Sequence, residues 1–203
     1  MTTIDKNQTN AKQVFKIKQI VIIGLFAALS YVLMLIHFPI KYLGFLELEF
    51  SDIPAIIAGL AYGPIVGVMI ELIKNLIKAI TASTTGGVGE LANFVVSIAY
   101  IIPVALLYRS MKGKFKTVIA FGAGVIGMTI AGILINYFVT VPLYAKLFGG
   151  MEAVVGAASA TVPAIKGLGT VVILGITPFN IVKGLMISII GYAVYKIFKK
   201  ELN

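Results

Sequence analysis

The chain has 203 residues, 59% of them hydrophobic and only 12% charged, about half the charged share of an ordinary soluble domain, which excludes a water-exposed fold and a disordered chain. Its formal charge of +9, from 17 Lys+Arg against 8 Asp+Glu, reads in so apolar a chain as topogenic charge facing anionic lipid, and no nucleic-acid partner is expected. With no Cys and a single His, His37, the sequence offers no disulfide, no thiolate nucleophile and no Cys- or His-built metal cage, so no metal site is expected.

In chain order, residues 1–16 form a polar and basic N-terminal segment. No small-residue cleavage pattern closes the apolar run that follows, which is read as a retained first helix. That first span covers about 17–38 and ends before Pro39. A polar stretch, 39–52, leads to Ser51/Asp52, a candidate N-cap with Pro54 in the first turn. The second span runs from there to about Tyr62, where Tyr62-Gly63-Pro64 breaks it, and the third covers about 64–80. One helix over 52–80 would be about 44 Å long, too long for a single pass without strong tilt. A Gly/Thr/Ser loop spans 81–89. The fourth span covers about 90–109, the fifth about 117–145 and the sixth about 172–198, with residues 199–203 as a tail. The Gly- and Ala-rich segment 147–171 has room for a short surface helix near 151–160.

The predicted fold is thus an all-α membrane protein, one domain over 17–198 with about six transmembrane helices. Six spans collect Lys6, Lys12, Lys16 and Lys18, then Arg109, Lys112, Lys114 and Lys116, then Lys196, Lys199 and Lys200 on one side. The other side receives only Lys41, Lys146 and Lys166. The positive-inside bias therefore places both termini in the cytoplasm. No phosphate-binding loop is present to hydrolyse ATP.

Ionisable groups within spans are costly and face a cavity or a partner. Glu71, Lys74, Asn75 and Lys78 share one face of the third helix; a structural ion pair, with Lys78 reaching to the interface, competes with a ligand role. Asn136, Tyr137, Thr140 and Tyr144 occupy the outer half of the fifth span. Asn136 suits an interhelical hydrogen bond as well as a ligand contact. Asn180 and Lys183 lie near the start of the sixth span, and no acid one turn away on that helix pairs with Lys183. The first outer loop, 41–50, alternates like a short strand through Phe45 to Phe50. It reads either as a lid over a pocket or as an interfacial loop touching headgroups. An outward pocket of amide, hydroxyl, ammonium and aromatic groups suits a neutral, planar, hydrogen-bonding ligand. The sole Arg, Arg109, lies on the cytoplasmic side, which disfavours a phosphorylated ligand.

These segments resemble a known family. The Phe45–Pro54 stretch, Tyr62-Gly63-Pro64, Asn136-Tyr137-Phe138 with Pro142-Leu143-Tyr144, and Pro178–Gly184 are similar to the riboflavin-specific S components of energy-coupling factor (ECF) vitamin transporters. The resemblance covers about 17–198. It implies a cell-membrane subunit, not an enzyme, that captures riboflavin as substrate and uses no cofactor. It implies as partners a transmembrane coupling subunit and two ATPases. It assigns ligand contacts to Asn136, Asn180 and Lys183, and lid closure to the loop bearing Phe45 and Leu46, with Thr140 and Tyr144 beside them. It assigns partner docking to the small-residue pair Gly24 and Ala28 on the first helix. Small residues one turn apart also suit internal packing. An S component for another vitamin, a solitary ion-coupled carrier using Glu71 and Lys74, and an intramembrane enzyme are the rival readings. Absent Trp argues against thiamine, and the lone His and scattered acids argue against an enzyme.

Overall fold

The computed structural model describes residues 16–36 and 42–202. Residues 1–15 of the N-terminal segment, His37 and Lys41 lie outside the described residues. The regular elements among the described residues are helices, and Tyr42 and Leu46 form an isolated bridge. The helices are α1 (Ile17–Leu35), α2 (Asp52–Tyr62), α3 (Pro64–Thr81), α4 (Val88–Ser110), α5 (Lys116–Ile135), α6 (Val141–Leu147), α7 (Met151–Thr161), the single turn α8 (Leu168–Thr170) and α9 (Thr177–Leu202). A π-helical turn, Asn136–Thr140, joins α5 to α6, and a second, Val171–Ile176, joins α8 to α9. The two long rods so formed, Lys116–Leu147 and Leu168–Lys200, are long and apolar enough to cross a bilayer, as are α1 and α4.

The break between α2 and α3 falls where expected. Gly63 adopts φ +109, a conformation L side chains rarely take, and Pro64 opens α3 at its first turn. A Cβ on Gly67 would come within 2.8 Å of Ala55 O and of Ile101, so α2 folds back tightly on α3. The second span differs from expectation in character. At 11 residues it is roughly 16 Å long, half a hydrocarbon core. Every residue from Asp52 to Leu60 is buried, which makes α2 a core helix wrapped by the others. α3 is long enough to span but carries Glu71, Lys74 and Lys78.

Ser51 occupies the N-cap position of α2, yet it has helical dihedrals and makes no capping bond. Its hydroxyl accepts from Lys74 Nζ at 2.7 Å instead. The pull of a buried ammonium outweighs the cap read from sequence. The loop expected to resemble a strand through 45–50 begins as a turn over 43–45, held by the Tyr42–Leu46 bridge, and continues without a turn through 46–50. Its anchor is Leu43, fully buried at φ +55. Gly175 makes room for that side chain, since a Cβ there would lie 2.3 Å from Leu43.

Two ends of the bundle are chemically distinct. At one, Lys116 sits 4.3 Å over the Tyr108 ring and Tyr108 meets the Tyr192 and Tyr195 rings edge-on. Arg109 donates to Leu60 O and Ala61 O at the end of α2, and Lys18 lies 5.6 Å over Tyr62. The α4–α5 turn and the end of α9, with their lysines, therefore share this end. On α1, Ala27 is buried, while Gly24 and Ala28 face outward and a Cβ on Gly24 would meet nothing within 4 Å.

Candidate functional site

The other end of the bundle holds a cavity of about 400 Å³, within the range of small-molecule sites. Six parts of the chain wall it: the end of α1 at Met34, the 44–49 loop, the end of α3 with the start of α4, the Asn136–Phe148 region, α7 through Ala153, Val154 and Ala157, and the first turns of α9. All seven residues singled out as ligand contacts line it: Phe45, Leu46, Asn136, Thr140, Tyr144, Asn180 and Lys183. Gly24 and Ala28 are not among its walls, in keeping with their outward face on α1.

The first π turn contributes to the cavity wall, and the second lies just before the wall residues of α9. Wide turns interrupt regular helices at functional positions because they offset the following side chains. In the first, Asn136 and Thr140 are buried and face the cavity. The second is followed at once by Thr177, whose hydroxyl donates to Val172 O at 2.9 Å, and then by Asn180. Each Asn is fixed by its own helix: Asn136 Nδ2 donates to Gly132 O at 2.8 Å and Asn180 Nδ2 to Ile176 O at 3.1 Å. An amide has two N–H donors and a carbonyl. Each side chain therefore keeps one donor and one acceptor for a ligand edge. Asn136 makes no interhelical bond among the described residues and lines the cavity. Gly132 brings the two rods together at this point, since a Cβ there would lie 2.4 Å from Asn180 Nδ2.

Lys183 receives the acceptors that its own helix lacks from distant parts of the chain. Its Nζ is 3.0 Å from Asp52 Oδ2 and 3.4 Å from Glu49 Oε1. Asp52 also takes Lys74 and accepts from Ser97 Oγ at 3.0 Å. Lys74 reaches Glu71 at 2.9 Å as well. The third-helix cluster is thus the structural ion pair of the two readings, lying behind the cavity wall. Lys78 departs from it: it faces the cavity and pairs with Glu47 at 3.6 Å. Buried charges survive only when paired and hydrogen-bonded, and this chain of pairs supplies that.

Aromatic rings frame the space. Phe45 meets Tyr144 edge-on at 5.5 Å, and Tyr42 stacks on Phe179 at 5.9 Å with planes 9° apart. The 42–46 turn is thereby tied to both rods. Sequence reasoning missed Glu49, Asp52, Asn93, Glu90 and Phe179. Lys183 held the signal for two of them: an ammonium in a span with no acid on its own helix requires one from elsewhere.

Comparison with known proteins agrees with this architecture. The description "ECF transporter, substrate-specific component" matches residues 18–195. The riboflavin transporter FmnP of Bacillus subtilis is 33% identical over 180 residues, covering 86% of this chain and 88% of that protein. The riboflavin transporter RibU of Staphylococcus aureus is 31% identical, covering 88% and 89%. A solved S component of a bacterial ECF transporter superposes with a TM-score of 0.69 at 29% identity, over 92% of this chain and 98% of that one. The chain therefore belongs to the family of ECF transporter substrate-specific components.

Proposed function

We propose that the chain binds riboflavin in the cavity between α4, the Asn136–Phe148 region and α9, and hands it to a coupling subunit driven by two ATPases for uptake across the cell membrane. The observation that carries this reading is the convergence of Asn136, Asn180 and Lys183, with Phe45 and Tyr144, on one cavity in a chain whose relatives are riboflavin transporters. Two amides and an ammonium suit the alternating donors and acceptors of a flavin ring edge, and the aromatic walls suit its faces.

The membrane arrangement we propose has six passes, with the α2–α3 hairpin counted as two, the first of them short. The basic end faces the cytoplasm and the cavity faces outward. The 42–49 loop covers the ligand. Gly24 and Ala28 form the patch on which a coupling-subunit helix settles, because small residues let backbones approach closely. Incubating the purified subunit, without partners, with riboflavin tests the reading. Retention of yellow flavin through gel filtration is the expected result, and loss of all flavin while another vitamin is retained overturns it.

A further inference from the structure

The cavity walls carry three carboxylates, Glu47, Glu49 and Glu90, against two ammonium groups, Lys78 and Lys183. Glu47 stands 3.6 Å from Lys78 and Glu49 stands 3.4 Å from Lys183. Glu90 has no cation within ion-pairing distance among the described residues. It is 5% exposed, so this charge is held inside the protein without an ion-pair partner.

Two hydroxyls hold one of its oxygens. Ser83 Oγ donates to Glu90 Oε2 at 2.9 Å and Thr85 Oγ1 at 3.2 Å. Ser83 in turn accepts from Gly87 N at 2.9 Å, and Thr85 accepts from Gly89 N at 3.0 Å. The turn before α4 is therefore built around Oε2. The position in the first turn of α4 favours a negative charge there, since the helix dipole presents its positive end. Oε1 takes part in no hydrogen bond among the described residues. A carboxylate oxygen without a protein donor, on a side chain that lines the cavity, suits a donor from whatever fills that cavity.

Along the Asn136–Leu147 rod, Asn136 and Tyr144 lie two turns apart, roughly 12 Å. A Cβ on Gly89 would lie 2.9 Å from the Tyr144 hydroxyl, which sets the start of α4, and Glu90 with it, at the Tyr144 end. The cavity thus places Asn136, Asn180 and Lys183 toward one end and Tyr144 with Glu90 toward the other.

We propose that Glu90 is a specificity-determining residue: its open oxygen accepts hydroxyls of a neutral polyol tail and rejects the same ligand esterified with phosphate. This inference rests on the flavin reading above. A phosphate monoester brings up to two negative charges close to a carboxylate that no cation offsets, and the repulsion is large in a water-poor site. Hydroxyls are donors and suit the same oxygen.

Three probes test it by equilibrium titration of the purified subunit: riboflavin, its 5′-phosphate, and lumiflavin, which keeps the ring and lacks the tail. In Glu90→Gln the preference for riboflavin over the phosphate should narrow at least about tenfold, with lumiflavin affinity unchanged within twofold. Glu90→Asp, which keeps the charge, should retain the preference. A folded Glu90→Gln with an unchanged preference overturns the proposal, as does equal weakening of lumiflavin and riboflavin. Glu90→Ala gives the same comparison if Glu90→Gln does not fold. A parent protein that binds neither riboflavin nor lumiflavin contradicts the flavin reading itself, whereas normal riboflavin binding with unaltered preference contradicts the role of Glu90 alone.

Discussion

Lys183 Nζ lies 3.0 Å from Asp52 Oδ2, joining the ammonium at the cavity wall to the first residue of the core helix α2. Asp52 does not itself line the cavity. It stands behind Lys183 and, through Lys74, connects that wall to α3. The ammonium is thus aimed from behind, and Glu49 steadies it from the side at 3.4 Å.

Asp52→Asn should therefore weaken riboflavin binding through Lys183. Losing a charged hydrogen bond at a buried site costs about 1.5–3 kcal/mol, or roughly 10- to 150-fold in affinity. In a Lys183→Met background the same change should cost far less, because the group it positions is gone. A double-mutant cycle on riboflavin affinity measures this. Equal penalties in both backgrounds would assign Asp52 to the fold alone.

Gly132 lies against both amides: its carbonyl accepts from Asn136, and a Cβ on it would lie 2.4 Å from Asn180 Nδ2. Gly132→Ala should push the Asn180 amide out of place. Riboflavin affinity should fall by about tenfold or more, while a helix-favouring Ala leaves thermal stability nearly unchanged. Parallel melting and titration curves separate the two effects, and unchanged affinity would mean that the amide at Asn180 does not serve the ligand.

Much of this was legible in the sequence, for identifiable reasons. The long apolar runs, the Gly63-Pro64 break and the charged Lys112–Lys116 turn mark the helices, because bilayer thickness and helix-breaking residues act locally. Asn136, Asn180 and Lys183 stood out because polar groups in apolar spans demand a reason. The partners did not stand out. Glu49 and Asp52 meet Lys183 across 134 positions in the first case, and no local pattern encodes that meeting. Ser51 read as a cap because capping is a local rule; the buried Lys74 that takes its hydroxyl is a tertiary neighbour. The two π turns left no trace, since their pattern of apolar residues matches that of an ordinary helix.

Gly24 and Ala28 face outward on α1, so bulky residues there should not disturb the interior. Gly24→Leu and Ala28→Leu should leave riboflavin binding by the solitary subunit within about twofold. Uptake by the assembled transporter should drop severalfold or more, because the partner helix is held off. Binding assays beside uptake assays check this, and loss of binding in step with uptake would place these residues in internal packing.

The basic end is expected in the cytoplasm. The chain has no Cys, so Lys114→Cys introduces a single label site at the α4–α5 turn. An impermeant thiol reagent should label it in inverted membranes and not in intact cells. Labelling from outside would overturn the proposed orientation.

The most direct test of the central claim is the riboflavin dissociation constant of the isolated subunit, read by flavin fluorescence for the parent, Asn180→Asp and Lys183→Met. Asn180→Asp replaces a donor with an acceptor-only carboxylate, and Lys183→Met keeps the stem and removes the charge. Stoichiometric quenching by the parent, with affinity lowered roughly 5- to 150-fold in each folded variant, is the predicted result. Parent-like affinity in both variants, or no quenching by the parent, would contradict the account.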